Sequence, residues 1–131
     1  MGGDIGFSTK LAMEYEQAVQ AARAALQEEG FGVLTEIDVK TTMKQKLDKD
    51  FRRYVILGAC NPPLAHRALE ADPSVGLLLP CNVIVYEEGS GCIVAAVDPL
   101  TLLGALDNPV LREVAQEADS RLRRVIDKLG S

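Results

Sequence analysis

The chain has 131 residues, of which 47% are hydrophobic and 25% charged, and its formal net charge is −5. This length and composition are typical of a globular domain, so we expect residues 1–131 to fold as a single domain. The negative charge argues against general nucleic-acid binding. Residues 40–53 are locally basic and could bind an anion or a partner, although a solvated helix and loop explains this charge more simply.

The cysteines and the apolar runs bear on the cellular compartment. Three cysteines without CxxC spacing indicate neither a disulfide framework nor a zinc ribbon. Residues 1–4 lack the charged and apolar regions of a signal peptide, and the longest apolar runs are too short to cross a bilayer. We therefore expect a reduced, cytoplasmic protein without membrane contact.

The first half of the chain alternates predicted strands with predicted helices. An apolar stripe at helical spacing predicts a first helix, which Gly30 is suited to end. Asp38 can cap a short second helix, and a third helix of about residues 63–72 lies between two prolines. Alternating or continuous apolar runs predict strands at residues 5–10, 31–37 and 54–59.

The second half predicts a hairpin and a long helix. Residues 83–86 and 93–97 are apolar strands joined across a glycine-containing turn. Asn108 and Pro109 suit the N-cap and first position of the last helix, whose apolar stripe includes Leu122. The order βαβαβα, hairpin, helix predicts a two-layer α+β fold. Its sheet has about five strands, is mixed or mostly antiparallel, and carries helices packed on one face.

The motifs that carry a family resemblance stand in residues 30–38 (GFGVLTEID), 56–62 (ILGACNP), 65–69 (AHRAL), 76–83 (GLLLPCNV) and 97–99 (VDP). Together they cover nearly the whole chain, which resembles the uncharacterised prokaryotic family called domain of unknown function 302. The resemblance implies a small α+β fold and a homodimer, and it assigns no activity or cofactor. Arg53 and Leu103 depart from the proline and methionine that are frequent in the family at these places.

Thiols and polar side chains cluster at predicted strand ends. If the second, third and fifth strands run in one direction and the fourth in the other, these ends meet at one edge of the sheet. Loops over such an edge commonly carry function. The candidate ligand-binding residues there are Glu36, Asp38, Cys60, Asn61, Cys81, Asn82 and Asp98.

Cys60 and His66 are the candidate catalytic residues. Cys60 precedes a predicted helix, whose N-terminal N–H groups and partial positive charge would stabilise a thiolate. His66 could act as its base or its cationic partner. Cys60, His66 and Cys81 are also ligand types suited to one metal ion, although their spacing is not that of a metal motif.

Each of these residues has a structural interpretation as well. Cysteine is often a small core residue, and His66 can pair with Glu70 on the helix surface. Asparagine and aspartate at strand ends can serve as turn or cap residues.

Two functions remain open at this point. The first is a small-molecule or metal-binding domain that uses this edge, with or without thiol chemistry. The second is a non-catalytic homodimeric interaction module with structural cysteines, since a five-stranded sheet with an apolar hairpin has edges that need covering. The sequence carries no phosphate-binding glycine loop, no HExxH and no GxSxG, so these enzyme classes have no support.

Overall fold

The structure, a computed structural model, describes residues 5–104 and 106–131. The strands are β1 (Gly6–Leu11), β2 (Gly32–Asp38), β3 (Tyr54–Cys60), β4 (Cys81–Glu88) and β5 (Gly91–Val97). The helices are α1 (Tyr15–Glu28), α2 (Val39–Leu47), α3 (Pro62–Ala71), a 3-10 helix (Pro73–Leu78), α4 (Pro99–Leu103) and α5 (Pro109–Gly130). The predicted order is confirmed, and the sequence analysis missed only the 3-10 helix and α4.

The sheet has the strand order β1-β5-β4-β3-β2, and all four pairings are antiparallel. The predicted five-stranded α+β architecture is therefore confirmed. The expected direction of β2 is wrong, because β2 runs antiparallel to β3. The two strands consequently end at opposite ends of the sheet.

One end of the sheet brings two cysteines near each other, and we call it the thiol end. Strand β3 ends there at Cys60, and β4 begins there at Cys81. Ala59 of β3 pairs with Cys81 of β4, so the two cysteines lie one residue apart across the ladder. The antiparallel register alone produces this proximity, since the cysteines are separated by 20 residues in sequence.

Helices α1 and α5 cover one face of the sheet and form the main core with it. Leu26 of α1 and Leu122 of α5 are fully buried in one cluster with Val83, Val85 and Val94 of the hairpin. Fully burying such a side chain contributes roughly 1.5–3 kcal/mol. This face is therefore the one that holds the fold together.

The other face of the sheet is open, and we call it the open face. Its apolar side chains include those of Ile37, Tyr54, Ile56, Ile84, Tyr86 and Ile93. The rings of Tyr54 and Tyr86 stack with their centroids 5.1 Å apart. Ile37 is 48% exposed, and Ile56, Ile84 and Ile93 are only half-buried. A row of isoleucines at this exposure is a sizeable apolar surface for one side of a sheet.

A β-bulge in β2 changes which of its side chains reach the core. The pairing with β3 shifts between Val33 and Thr35, so Leu34 is an extra residue in the ladder. Val33 packs against the main core, whereas Thr35 pairs with Gly58 on the open face. The simple alternation expected along this strand is therefore broken, and Leu34 is left 67% exposed.

The predicted roles of Gly30, Asp38 and Asn108 at the ends of helices are confirmed, whereas α3 begins and ends one residue earlier than predicted. The Asn108 side chain accepts hydrogen bonds from the N–H groups of Val110 and Leu111 and so caps α5. Gly30 follows α1 with a φ of +85°, a conformation that glycine adopts without steric cost. No helix within the described residues is long and apolar enough to span a membrane.

A second, smaller core lies beyond the thiol end. Its buried residues come from α3, the 3-10 helix, α4 and α5: Ala68, Val75, Leu103, Leu111, Val114 and Ala115. Helix α5 has 22 residues and is about 33 Å long, so its C-terminal half packs on the sheet while its N-terminal half reaches this second cluster. The space between the two clusters is where the candidate site lies.

We predict that Leu122→Ala lowers the free energy of unfolding by about 2–5 kcal/mol, because it leaves a cavity in the main core. Leu77→Ala is the matched control, since Leu77 is 88% exposed and should lose less than about 0.5 kcal/mol. Urea titration followed by circular dichroism measures both. Equal losses in the two variants would contradict the assignment of this face of α5 to the core.

Candidate functional site

A cavity of about 250 Å³ opens at the thiol end, between the sheet, α3, α4 and α5. Among the described residues that line it, three carry polar side-chain atoms: Cys60, Asn61 and Cys81. The rest of the wall is apolar and includes Leu34, Leu64, Leu69, Leu79, Leu103 and Val114. An apolar concave site with a few convergent polar groups is the usual form of a small-molecule pocket.

The cavity mouth is lined by exposed leucines. Leu34 lies in the β2 bulge and is 67% exposed, and Leu69 of α3 is 41% exposed. Both line the cavity, so apolar surface continues from its interior to solvent. An apolar molecule would therefore meet a favourable surface before it enters.

Of the two thiols that line the cavity, Cys81 has the more strongly raised pKa. Burial and, to a smaller extent, the negative charge of an ionised Cys60 raise its pKa to about 11. This contribution of Cys60 shows that the two thiols are electrostatic neighbours. Cys81 stays protonated near neutral pH and presents a neutral S–H group to the cavity.

Cys60 does not receive the activation that its place before a helix predicts. Burial raises the pKa of its thiol, which is the opposite of the expected shift. Helix α3 begins with Pro62 and Pro63, which have no N–H groups to donate. The next N–H, that of Leu64, is already bonded to Asn61 Oδ1 at 3.3 Å. The helix end therefore offers a thiolate little of the hydrogen bonding that usually stabilises one.

Asn61 acts as the N-cap of α3 and also lines the cavity. It is only 8% exposed, and its backbone carbonyl accepts a hydrogen bond from the Ala65 N–H at 2.9 Å. Its Oδ1 is used by the cap, which leaves the Nδ2 amide group as a donor. Of the seven candidate ligand-binding residues, Cys60, Asn61 and Cys81 are those the structure brings together in the cavity wall.

His66 is not brought to the cysteines. Its side chain is 76% exposed on α3, and its Nε2 lies 4.0 Å from Glu70 Oε1. Among residues 5–104 and 106–131, no group of three or more His, Cys, Asp or Glu side chains could hold a metal ion. The metal site expected from Cys60, Cys81 and His66 is therefore not formed.

Glu36 and Asp38 lie away from the thiol end because β2 is antiparallel to β3. Glu36 pairs with Leu57, and its carboxylate forms an ion pair with Arg23 of α1. Asp38 pairs with Val55, about 17 Å along β3 from its end. Asp38 caps α2 through a 3.0 Å hydrogen bond from the Thr41 N–H. Both carboxylates thus have structural partners elsewhere.

Asn82 and Asp98 lie at the thiol end but outside the cavity wall. Asn82 pairs with Gly58, and its exposed side chain lies on the open face. Asp98 caps α4, where its carboxylate accepts a hydrogen bond from the Leu100 N–H at 2.9 Å. Its neighbour Pro99 does line the cavity.

Sequence reasoning missed the leucines in the wall of this site. Leu34, Leu64, Leu69 and Leu79 have the pattern of ordinary packing residues in the sequence. One signal was present, since Leu79 lies two residues before β4 begins and next to Pro80. Their convergence depends on the antiparallel register and the 3-10 helix, which periodicity does not reveal.

We predict that iodoacetamide modifies Cys60 before Cys81 and Cys92, and only slowly near neutral pH. Burial raises the pKa of all three thiols, and Cys92 is also 1% exposed. The Cys60 rate should keep rising with pH above the range in which an unperturbed cysteine levels off. His66→Ala should change the rate by less than about twofold, because His66 faces Glu70 and solvent. Timed mass spectrometry measures each site.

A Cys60 rate that is already constant near neutral pH would contradict this account, and so would a large slowing in the His66→Ala variant. Either result would show an activated thiolate at the helix end.

Comparisons with known proteins identify the family. The model of the family described as Domain of unknown function DUF302 matches residues 7–129. The fold is similar to the crystal structure of an uncharacterised conserved protein DUF302 from Bacillus stearothermophilus, at 30% sequence identity. That match covers 95% of this chain and 98% of that chain, with a TM-score of 0.87. No curated protein matches the sequence. The chain belongs to the DUF302 family.

Proposed function

We propose that this domain binds a small apolar molecule in the cavity at the thiol end. The apolar lining of this cavity is the observation that supports the proposal. A space of about 250 Å³ is lined by apolar side chains and continues to solvent through exposed leucines. An apolar cavity of about 150 Å³ is already large enough to hold benzene.

Transfer of apolar groups from water supplies the binding energy. Each buried methylene contributes about 0.8 kcal/mol, and the loss of translational and rotational freedom opposes it. A ligand of about eight carbon atoms therefore gains about 6 kcal/mol before this loss, so its dissociation constant lies above about 20 μM. The proposed role is binding without a covalent step, because both thiols in the wall remain protonated near neutral pH.

We predict that Ala68→Leu weakens binding of the uncharged dye N-phenyl-1-naphthylamine by about tenfold or more. Ala68 lines the cavity and is 1% exposed, so a leucine there occupies space that the dye would fill. Displacing about two methylene-sized groups of ligand corresponds to a factor of this size. Dye fluorescence, which rises in apolar surroundings, measures the affinity.

Ala24→Leu is the matched control, because Ala24 is exposed on α1 and does not line the cavity. Its dye affinity should equal that of the unmodified protein. If Ala68→Leu fails to fold, Ala65→Leu tests the same wall at a half-buried position. Undiminished binding in folded variants of both wall positions would refute the cavity as the site.

A second candidate function, a homodimeric interaction module, is favoured by the open face. A sheet face of half-buried isoleucines and stacked tyrosines can be covered by the same face of a second copy. A shallow apolar depression there, lined by Ile84, Ala95 and Val97 among others, offers a place for interdigitating side chains. This role is compatible with ligand binding, since the cavity lies at the thiol end.

We predict that the protein sediments at about twice its chain mass of 14.1 kDa at micromolar concentration. Ile84→Lys should yield the single-chain mass, because it places a charge in the centre of the open face. Leu77→Lys introduces the same charge at an exposed position away from the sheet and should leave the mass doubled. A single-chain mass for the unmodified protein would remove the dimer from this proposal.

We further propose that residues 1–131 work as one domain in the cytoplasm. All three cysteines are free, as is usual in a reducing compartment.

A further inference from the structure

We infer that the cavity selects uncharged apolar molecules and rejects carboxylates of the same chain length. This inference rests on the proposed function and specifies the class of ligand. The chemistry of the wall supports it: none of the described residues that line the cavity has a charged side chain, and the N–H groups at the start of α3 are absent or already bonded.

The start of α3 is the place where an anion would ordinarily bind, since helix N-termini present free N–H groups. Here the sequence removes them. Pro62 and Pro63 have no N–H, and the N–H groups of Leu64 and Ala65 are bonded to the side chain and carbonyl of Asn61. A carboxylate at this end of the cavity would lose its hydration without gaining these donors.

The start of α4 offers no free donor to an anion either. The Asp98 carboxylate, next in sequence to the lining residue Pro99, already caps this helix by accepting the Leu100 N–H at 2.9 Å. A ligand carboxylate would therefore have to compete with Asp98 for this helix end, whereas an uncharged ligand does not.

The cations near the cavity are engaged outside it. Arg121 of α5 lies beside Gly30 and Asn61. Its Nε donates to Glu117 at 2.8 Å, and its Nη1 donates to the Glu29 carbonyl at 2.9 Å. Arg67 of α3 is likewise paired with Glu113 of α5 at 2.9 Å. Both guanidinium groups are therefore held by other parts of the protein and not by the cavity.

Polar recognition is therefore limited to neutral groups. Asn61 is the one amide among the described lining residues, and the two thiols are neutral because burial raises the pKa of each. An alcohol or ester oxygen could accept from the amide. An ionised carboxylate would have to be buried without a compensating charge, which is far more costly than burying a hydroxyl group.

The test compares 1-octanol with octanoate, two probes of equal chain length, by displacement of N-phenyl-1-naphthylamine near neutral pH. We expect octanol to bind at least about tenfold more tightly than octanoate. Lowering the pH until octanoate is protonated should bring its affinity close to that of octanol, while the affinity of octanol stays constant.

Leu69→Lys supplies a cation at the cavity mouth and should raise the affinity of octanoate relative to octanol. Leu77→Lys is the matched control, because Leu77 is exposed and does not line the cavity, and it should leave the ratio unchanged. Equal or tighter binding of octanoate to the unmodified protein would overturn this inference while leaving the cavity as a binding site. Failure of both probes to bind would overturn the proposed function itself.

Discussion

The antiparallel register of β3 and β4 is the constraint on which the rest of the site depends. Pairing of Ala59 with Cys81 sets the end of one strand beside the start of the other, so both thiols and the cap of α3 meet at one end of the sheet. The antiparallel pairing of β2 with β3 has the converse effect, because it carries Asp38 to the other end. The β3–β4 ladder thus gathers the thiols, and the β2–β3 ladder carries Glu36 and Asp38 away from them.

Helix α5 closes one side of the cavity at this end of the sheet. Its C-terminal half is held on the sheet by buried residues such as Leu122, and its N-terminal half packs with α3 and α4 through Leu111 and Val114. Two cores that share one helix leave a gap between them, and leucines from the surrounding elements form its wall. The paired prolines at the start of α3 lack the two backbone N–H groups that a helix normally presents there.

Local chemistry was predictable from the sequence, and long-range pairing was not. Cap residues such as Asn108 and the positive φ of Gly30 follow from interactions within a few residues, so the helix ends could be predicted. The direction of β2 depends on which strand it pairs with, which its apolar pattern does not encode. The bulge at Leu34 also breaks that pattern. The thiols were identified as site residues from their motifs, but their protonation depends on burial that only the tertiary structure reveals.

The most direct measurement of the central claim is a methyl chemical-shift map of the protein titrated with 1-octanol. We predict that the largest shifts occur at wall residues from three different elements, namely Leu69, Leu103 and Val114, with smaller shifts at Ile56 and Ile84 on the open face. Two results would contradict the cavity at the thiol end as the ligand site: the largest shifts at the two isoleucines, or no methyl signal whose shift saturates as 1-octanol is added.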